Sequence, residues 1–172
     1  MIAALTAGAD TLEHATFLTQ TVVDLLLEKQ RAIVPTFAVY KGIAEDTLLP
    51  PAQRDIARRV LEAKGPLFLD AVRKGVRYGV GTDAGSFYPP GALVREMELM
   101  VEAGLSPREV LLAATAGNAD LLGMAGTIGR LEPGMLADLL VLVSDPLEDL
   151  TALRHIARVF KGGKEFEPRP ML

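Results

Sequence analysis

The amino-acid sequence predicts a parallel α/β unit followed by a smaller β-rich segment, and three observations carry that prediction. Short runs of small and β-branched residues alternate with longer amphipathic stretches as far as about residue 125. Past Gly123 the texture becomes turn-rich, with two further strand-like runs. Two of the early runs end in chemistry-bearing residues, His14 and Asp83, which is how parallel strands deliver functional groups to one rim of a sheet or barrel.

In chain order, residues 1–7 read as the last turns of a helix closed by Gly8. Residues 11–16 read as a strand, residues 19–29 as an apolar-rich helix, and residues 32–37 as the next strand, with Pro35 near its end. After a mixed stretch to Pro50-Pro51, residues 52–74 show a helical pattern in which Ile56, Val60, Leu67 and Ala71 form the apolar stripe. Arg54, Asp55, Arg58, Arg59, Glu62 and Lys64 are assigned to its solvated faces, and Gly65-Pro66 is a candidate kink. Residues 76–82 supply a strand ending at Asp83, and residues 93–101 another amphipathic helix stopped by Gly104. Ser106-Pro107-Arg108-Glu109 is a capping box with proline at the first helical position. Three strands before Gly117 fall short of a closed barrel, which takes eight strands and roughly 250 residues. The β-rich part follows, with turns over residues 126–134, strands over residues 137–142 and 156–160, and a turn at Gly162-Gly163.

Composition sets the class. A chain of 172 residues with 49% apolar and 23% charged residues has ample core for a globular fold. A net charge of −4, with no run of Lys or Arg, argues against nucleic acid or an anionic membrane as the main partner. The absence of cysteine removes disulfides, thiolate nucleophiles and Cys-based zinc sites, and fits a reducing cytoplasm. No leader pattern or bilayer-length apolar run stands out, so the default expectation is a soluble, cytoplasmic protein acting on a small molecule, with homo-oligomerisation open.

Taken alone, Asp83 reads equally as a turn cap where a strand gives way to a loop. His14, the only histidine before residue 155, shifts the balance, because two parallel strands would bring both side chains to one mouth. A phosphate cradle at Gly79-Val80-Gly81-Thr82 is disfavoured, since no Lys or Arg lies between Arg77 and Arg95.

Five motifs in order, Leu12-Glu13-His14, Val34-Pro35-Thr36, Gly81-Thr82-Asp83, the run from Thr115-Ala116-Gly117-Asn118 to Gly123, and Gly126-x-Ile128-x-x-Leu131-x-Pro133-Gly134-x-x-Ala137-Asp138-Leu139, resemble the C-terminal part of the metal-dependent amidohydrolase superfamily. The similarity is to its imidazolonepropionase-like and Xaa-Pro dipeptidase-like branch. The resemblance implies that residues 1–125 are the C-terminal portion of a (β/α)8 barrel, its last three strands and helices, and that residues 126–172 belong to a small composite β-sandwich. It implies a hydrolase of amide or dipeptide-like C–N bonds with one or two divalent metals, zinc in the usual case. His14 matches the metal-ligating histidine after the sixth strand. Asp83 matches the metal-ligating aspartate after the eighth, which also handles the proton of the nucleophilic water. Tyr40 corresponds to a substrate-contacting tyrosine in a loop after the seventh strand, or is an ordinary loop aromatic. Thr82, Gly85 and Ser86 would shape the loop beside the metal. The family's H-x-H pair, bridging acid and further histidine have no counterpart, and His155 reads as a surface or core histidine of the β-rich tail. The expectation is therefore the C-terminal part of a longer enzyme, inactive in isolation; the alternative is a non-catalytic remnant that needs a partner chain, or a non-enzymatic interaction protein.

Overall fold

The computed structural model describes residues 1–85 and 91–168; Ser86 lies outside the described residues. Helix α1 (Ile2–Thr6), strand β1 (Thr11–Glu13), helix α2 (Gln20–Glu28), strand β2 (Ala32–Val34), helices α3 (Phe37–Glu45) and α4 (Pro51–Arg73) and strand β3 (Arg77–Tyr78) come first. Helices α5 (Leu93–Glu102) and α6 (Pro107–Leu112), a π turn (Ala113–Gly117) and helix α7 (Asn118–Leu121) follow. Strand β4 (Leu139–Leu142), a 3-10 turn (Leu150–Arg154) and strands β5 (Ile156–Lys161) and β6 (Lys164–Phe166) complete the order.

Strands β1, β2 and β3 form one parallel sheet in that order, with Thr11 opposite Ala32, Glu13 opposite Val34 and Ile33 opposite Tyr78. Parallel strands need crossovers, and α2 and the α3–α4 pair supply them. Leu12 and Ile33 on the strands pack with Leu26, Phe68, Ala71, Met97, Met100 and Val110 from the helices in one apolar core. The second sheet is antiparallel, β4-β5-β6, with the β5–β6 hairpin turning on Gly162 and Gly163, both at positive φ. Among the described residues no helix is long and apolar enough to cross a membrane.

Local chemistry accounts for several boundaries. Thr19 caps α2 by accepting from the Val22 N–H, and Pro51 opens α4 at a position where a missing N–H costs nothing. Gly104 ends α5 at φ +111°, and a Cβ there would come within 2.8 Å of Leu69, so chain direction and packing both demand glycine.

Two expectations need correction. Helix α4 runs through Gly65-Pro66 undivided, and its buried face is Ala57, Val60, Lys64, Phe68 and Ala71, while Ile56 is 59% exposed. Phe68 sets this phase: its ring meets Phe37 and Tyr78 edge-on, at centroid distances of 5.5 and 5.7 Å. The second correction is α3. Residues 37–45 were expected as strand end and irregular chain, yet they form a helix whose start is held from outside.

That hold is a carboxylate in the core. Glu96, fully buried on α5, accepts hydrogen bonds from the backbone N–H of Phe37 (2.8 Å) and of Ala38 (2.7 Å), so it fills the orphan donors of the α3 N-terminus. Lys64, expected on a solvated face, is 2% exposed, and its Nζ has no hydrogen-bond partner; it lies 4.3 Å from the Tyr40 ring centroid and 5.4 Å from that of Phe37. The two aromatic faces stand in for part of the lost hydration of the cation. Burial pushes Lys64 down to about 7, against the opposing pull of Glu96. Burial likewise raises Glu96 to about 7, offset by its backbone donors and by Lys64.

Glu96→Ala would strand two buried N–H groups and remove the counter-charge of Lys64. The expected loss is about 3 kcal/mol of stability, measured as a lowered midpoint of urea unfolding. On α6, Glu109 accepts from Arg73, from the Ser106 backbone and from the Ser106 hydroxyl, and these bonds hold its carboxyl down at about 2 against an ordinary 4.5. Because the folded value is the lower one, this stabilisation is complete above pH 4.5 and is lost as pH falls towards 2. Glu109→Gln should flatten the acid limb of a stability-against-pH curve in that window, and added salt should weaken the wild-type slope.

Candidate functional site

The parallel register brings the C-terminal ends of β1, β2 and β3 to one edge of the sheet. The His14 N–H continues the β1–β2 ladder by donating to the Val34 carbonyl at 2.9 Å, after which the chain turns with His14 at φ +66° and Ala15 at +44°. Thr36, just past β2, stands at +51°, and Asp83, past β3, at +53°. Among the described residues five non-glycine residues have positive φ, and only Gln30 lies elsewhere. Such conformations cost of order 1–3 kcal/mol each and gather where the surrounding structure over-determines them, as at functional sites.

The side chains form a connected group. His14 Nδ1 is hydrogen-bonded to Thr36 Oγ1 at 2.7 Å, and Thr16 Oγ1 to the Tyr40 hydroxyl at 2.9 Å. The Tyr40 and His14 rings meet edge-on, with centroids 6.3 Å apart, and Lys64 Nζ lies over the Tyr40 ring. With the proton on Nδ1, this bond orients the imidazole and leaves the Nε2 lone pair for a cation, the arrangement that metal-ligating histidines share. Asp83 is exposed, and the Thr82 hydroxyl accepts from the Ala84 N–H at 3.1 Å in the turn around it.

The candidate residues His14, Asp83, Tyr40 and His155 are placed as follows. His14 directly follows β1, and Asp83 lies five residues past the end of β3, the strand on the other side of β2. Tyr40 is half-buried on helix α3 rather than in a loop, which corrects that expectation while keeping it beside His14. His155 is exposed just before β5, on the other sheet. As donors, one imidazole nitrogen and one carboxylate oxygen suit a divalent cation such as zinc. Among the described residues, no three of His, Cys, Asp and Glu are gathered as a metal site. His14 and Asp83 therefore fit as part of a ligand set.

Sequence reasoning quoted Thr36 within a motif but without a role, placed Lys64 on a solvated face and missed Glu96. Glu96 did leave a signal: it stands between Val94 and Met97, with Leu99 and Met100 following, all buried, so a charge interrupts the apolar face of α5. Lys64 left none of that strength, since a lysine among other charges in a helical pattern reads as solvated.

The chain is similar to an ochratoxinase of Aspergillus niger, 30% identical over 174 residues, covering 97% of this chain and 36% of the relative. Among solved structures it resembles a Xaa-Pro dipeptidase crystallised with methionine in its active site (TM-score 0.87, 34% identity, 96% of this chain and 41% of the other). It also resembles a putative prolidase from Bifidobacterium longum (TM-score 0.87, 38% identity, 97% of this chain and 44% of the other). The chain spans less than half the length of each of these proteins. The model of the amidohydrolase family matches residues 3–166, nearly the whole sequence, and the chain belongs to that family.

Proposed function

We propose that this chain is the C-terminal part of a metal-dependent hydrolase of C–N bonds, with an amide or dipeptide-like small molecule as substrate. In this reading residues 1–125 are the last three βα units of a (β/α)8 barrel, and residues 126–172 belong to a β-sandwich segment. The observation that carries it is the pairing of an oriented imidazole and a carboxylate at one edge of a parallel sheet: His14, pinned through Nδ1 by Thr36, and Asp83, both in strained backbone. The likeness to a Xaa-Pro dipeptidase and to an ochratoxinase supports the substrate class.

His14, through Nε2, and Asp83 would hold a divalent cation, zinc in the first instance, together with ligands from outside these 172 residues. Such a cation, when bound, would make the proton of a bound water far easier to remove. Asp83 would accept the proton of the attacking water and return it to the leaving nitrogen, a step that asks for an accessible carboxylate at a loop. Thr36 holds the His14 ring so that one nitrogen always faces the same way. Tyr40, tethered to Thr16, borders the same mouth and would contact the substrate.

Asp83→Asn in the enzyme containing this segment should leave the fold intact and lower kcat on a Xaa-Pro dipeptide or an N-acyl amino acid by about 10²-fold or more; unchanged turnover would refute the role of Asp83. Thr36→Val, which keeps the shape and removes the hydroxyl, should weaken zinc binding about 10- to 100-fold by calorimetry. Equal affinity in that variant would show that the His14–Thr36 bond does not prepare the ring.

A further inference from the structure

We propose that Asn118 is the positioning residue for Asp83, acting as a side-chain substitute for a neighbouring strand. This rests on the reading of Asp83 as the acid of the site. Strand β3 pairs with β2 only through Arg77 and Tyr78, and the last bond in that direction runs from the Gly79 N–H to the Ile33 carbonyl at 3.0 Å. The chain must then cross four more residues to reach Asp83.

Asn118 takes hold of it at Val80. Its Oδ1 accepts from the Val80 N–H at 3.0 Å, and its Nδ2 donates to the Val80 carbonyl at 2.9 Å. One amide side chain thereby presents the donor and acceptor that a paired strand would present. Two glycines are required by this approach. A Cβ on Gly79 would sit 2.5 Å from Asn118 Oδ1 and 2.8 Å from Leu121, and one on Gly81 would sit 2.8 Å from Val34. The Gly79-Val80-Gly81 spacing, which resembles a phosphate cradle in sequence, is thus the imprint of Asn118 on one side and β2 on the other.

The element before Asn118 is shaped to match. Residues Ala113–Gly117 form a π turn directly ahead of α7, with the Thr115 hydroxyl donating to the Leu111 carbonyl at 2.7 Å. An inserted residue rotates everything after it by roughly 100° relative to an uninterrupted helix. That rotation changes the direction in which Asn118 leaves the helix, and its side chain meets Val80. Asn118, which lies in the run from Thr115 to Gly123 singled out in the sequence without a role, is accounted for by this contact.

The test compares the enzyme that contains this segment with its Asn118→Leu variant, which removes both hydrogen bonds, and its Asn118→Asp variant, which keeps the acceptor for the Val80 N–H and opposes the Val80 carbonyl. Backbone 15N order parameters and zinc titration by calorimetry are the two readouts, with Asp83→Asn alongside. In both variants the order parameters of Gly81, Thr82 and Asp83 should fall from about 0.85 towards 0.6, while those of Thr11–Glu13 and Ala32–Val34 hold. The Asp83-dependent part of zinc affinity should drop about 10- to 100-fold. Unchanged order at residues 81–83, or an equal loss across β1 and β2, would overturn the proposal; if Asn118→Leu fails to fold, Asn118→Asp decides. Zinc binding that ignores Asp83→Asn, or no zinc binding at all, would instead contradict the functional reading, with the order parameters still deciding the role of Asn118.

Discussion

The parallel register of β1, β2 and β3 is the constraint on which the site depends. With Glu13 opposite Val34 and Ile33 opposite Tyr78, the three chains leave the sheet at one edge, and a slip of one residue in any of them would turn its terminal side chain to the opposite face. His14, Thr36 and Asp83 each leave in the left-handed region. None is glycine, so each conformation has to be held by something outside the residue itself.

The holders are polar groups set among apolar neighbours. Thr36 is the N-cap of α3 but makes no capping bond with its own side chain; its hydroxyl is committed to His14, and Glu96 caps the helix in its place. A carboxylate without exposed surface is tolerable because consecutive backbone donors and the positive end of α3 replace its water. Lys64 completes the local charge balance beneath Tyr40 and Phe37. Asn118 does for the third strand what Glu96 does for the second. A network of this kind specifies one geometry, since each member left unsatisfied would be costly.

How much of this was legible in the sequence follows from how local each cause is. The strand-like runs of β1 and β3 could be located because Leu12-Glu13-His14 and Gly81-Thr82-Asp83 carry their chemistry beside them, although strand pairing stops at Glu13 and Tyr78, short of the expected residues 16 and 82. The Ser106–Glu109 capping box was legible for the same reason, and it forms as expected. Helix α3 was not, because Phe37, Val39 and Tyr40 favour strands and the cap lies 59 residues away on α5. The phase of α4 escaped as well: Phe68 is fixed by rings from β3 and α3, so the apolar stripe shifts and Lys64 is carried inward. Strand β6 is short, charged and exposed, and it exists because the Gly162-Gly163 turn folds it onto β5.

The central claim is that His14 and Asp83 share one metal. Anomalous scattering from crystals of the zinc-loaded enzyme that contains this segment, recorded on both sides of the zinc edge, tests it most directly. A zinc peak within bonding distance of both His14 Nε2 and the Asp83 carboxylate, about 2.0–2.2 Å from each, is the expected result. A peak that contacts neither side chain, or one bound through His14 Nδ1 with the Thr36 bond broken, would contradict the account.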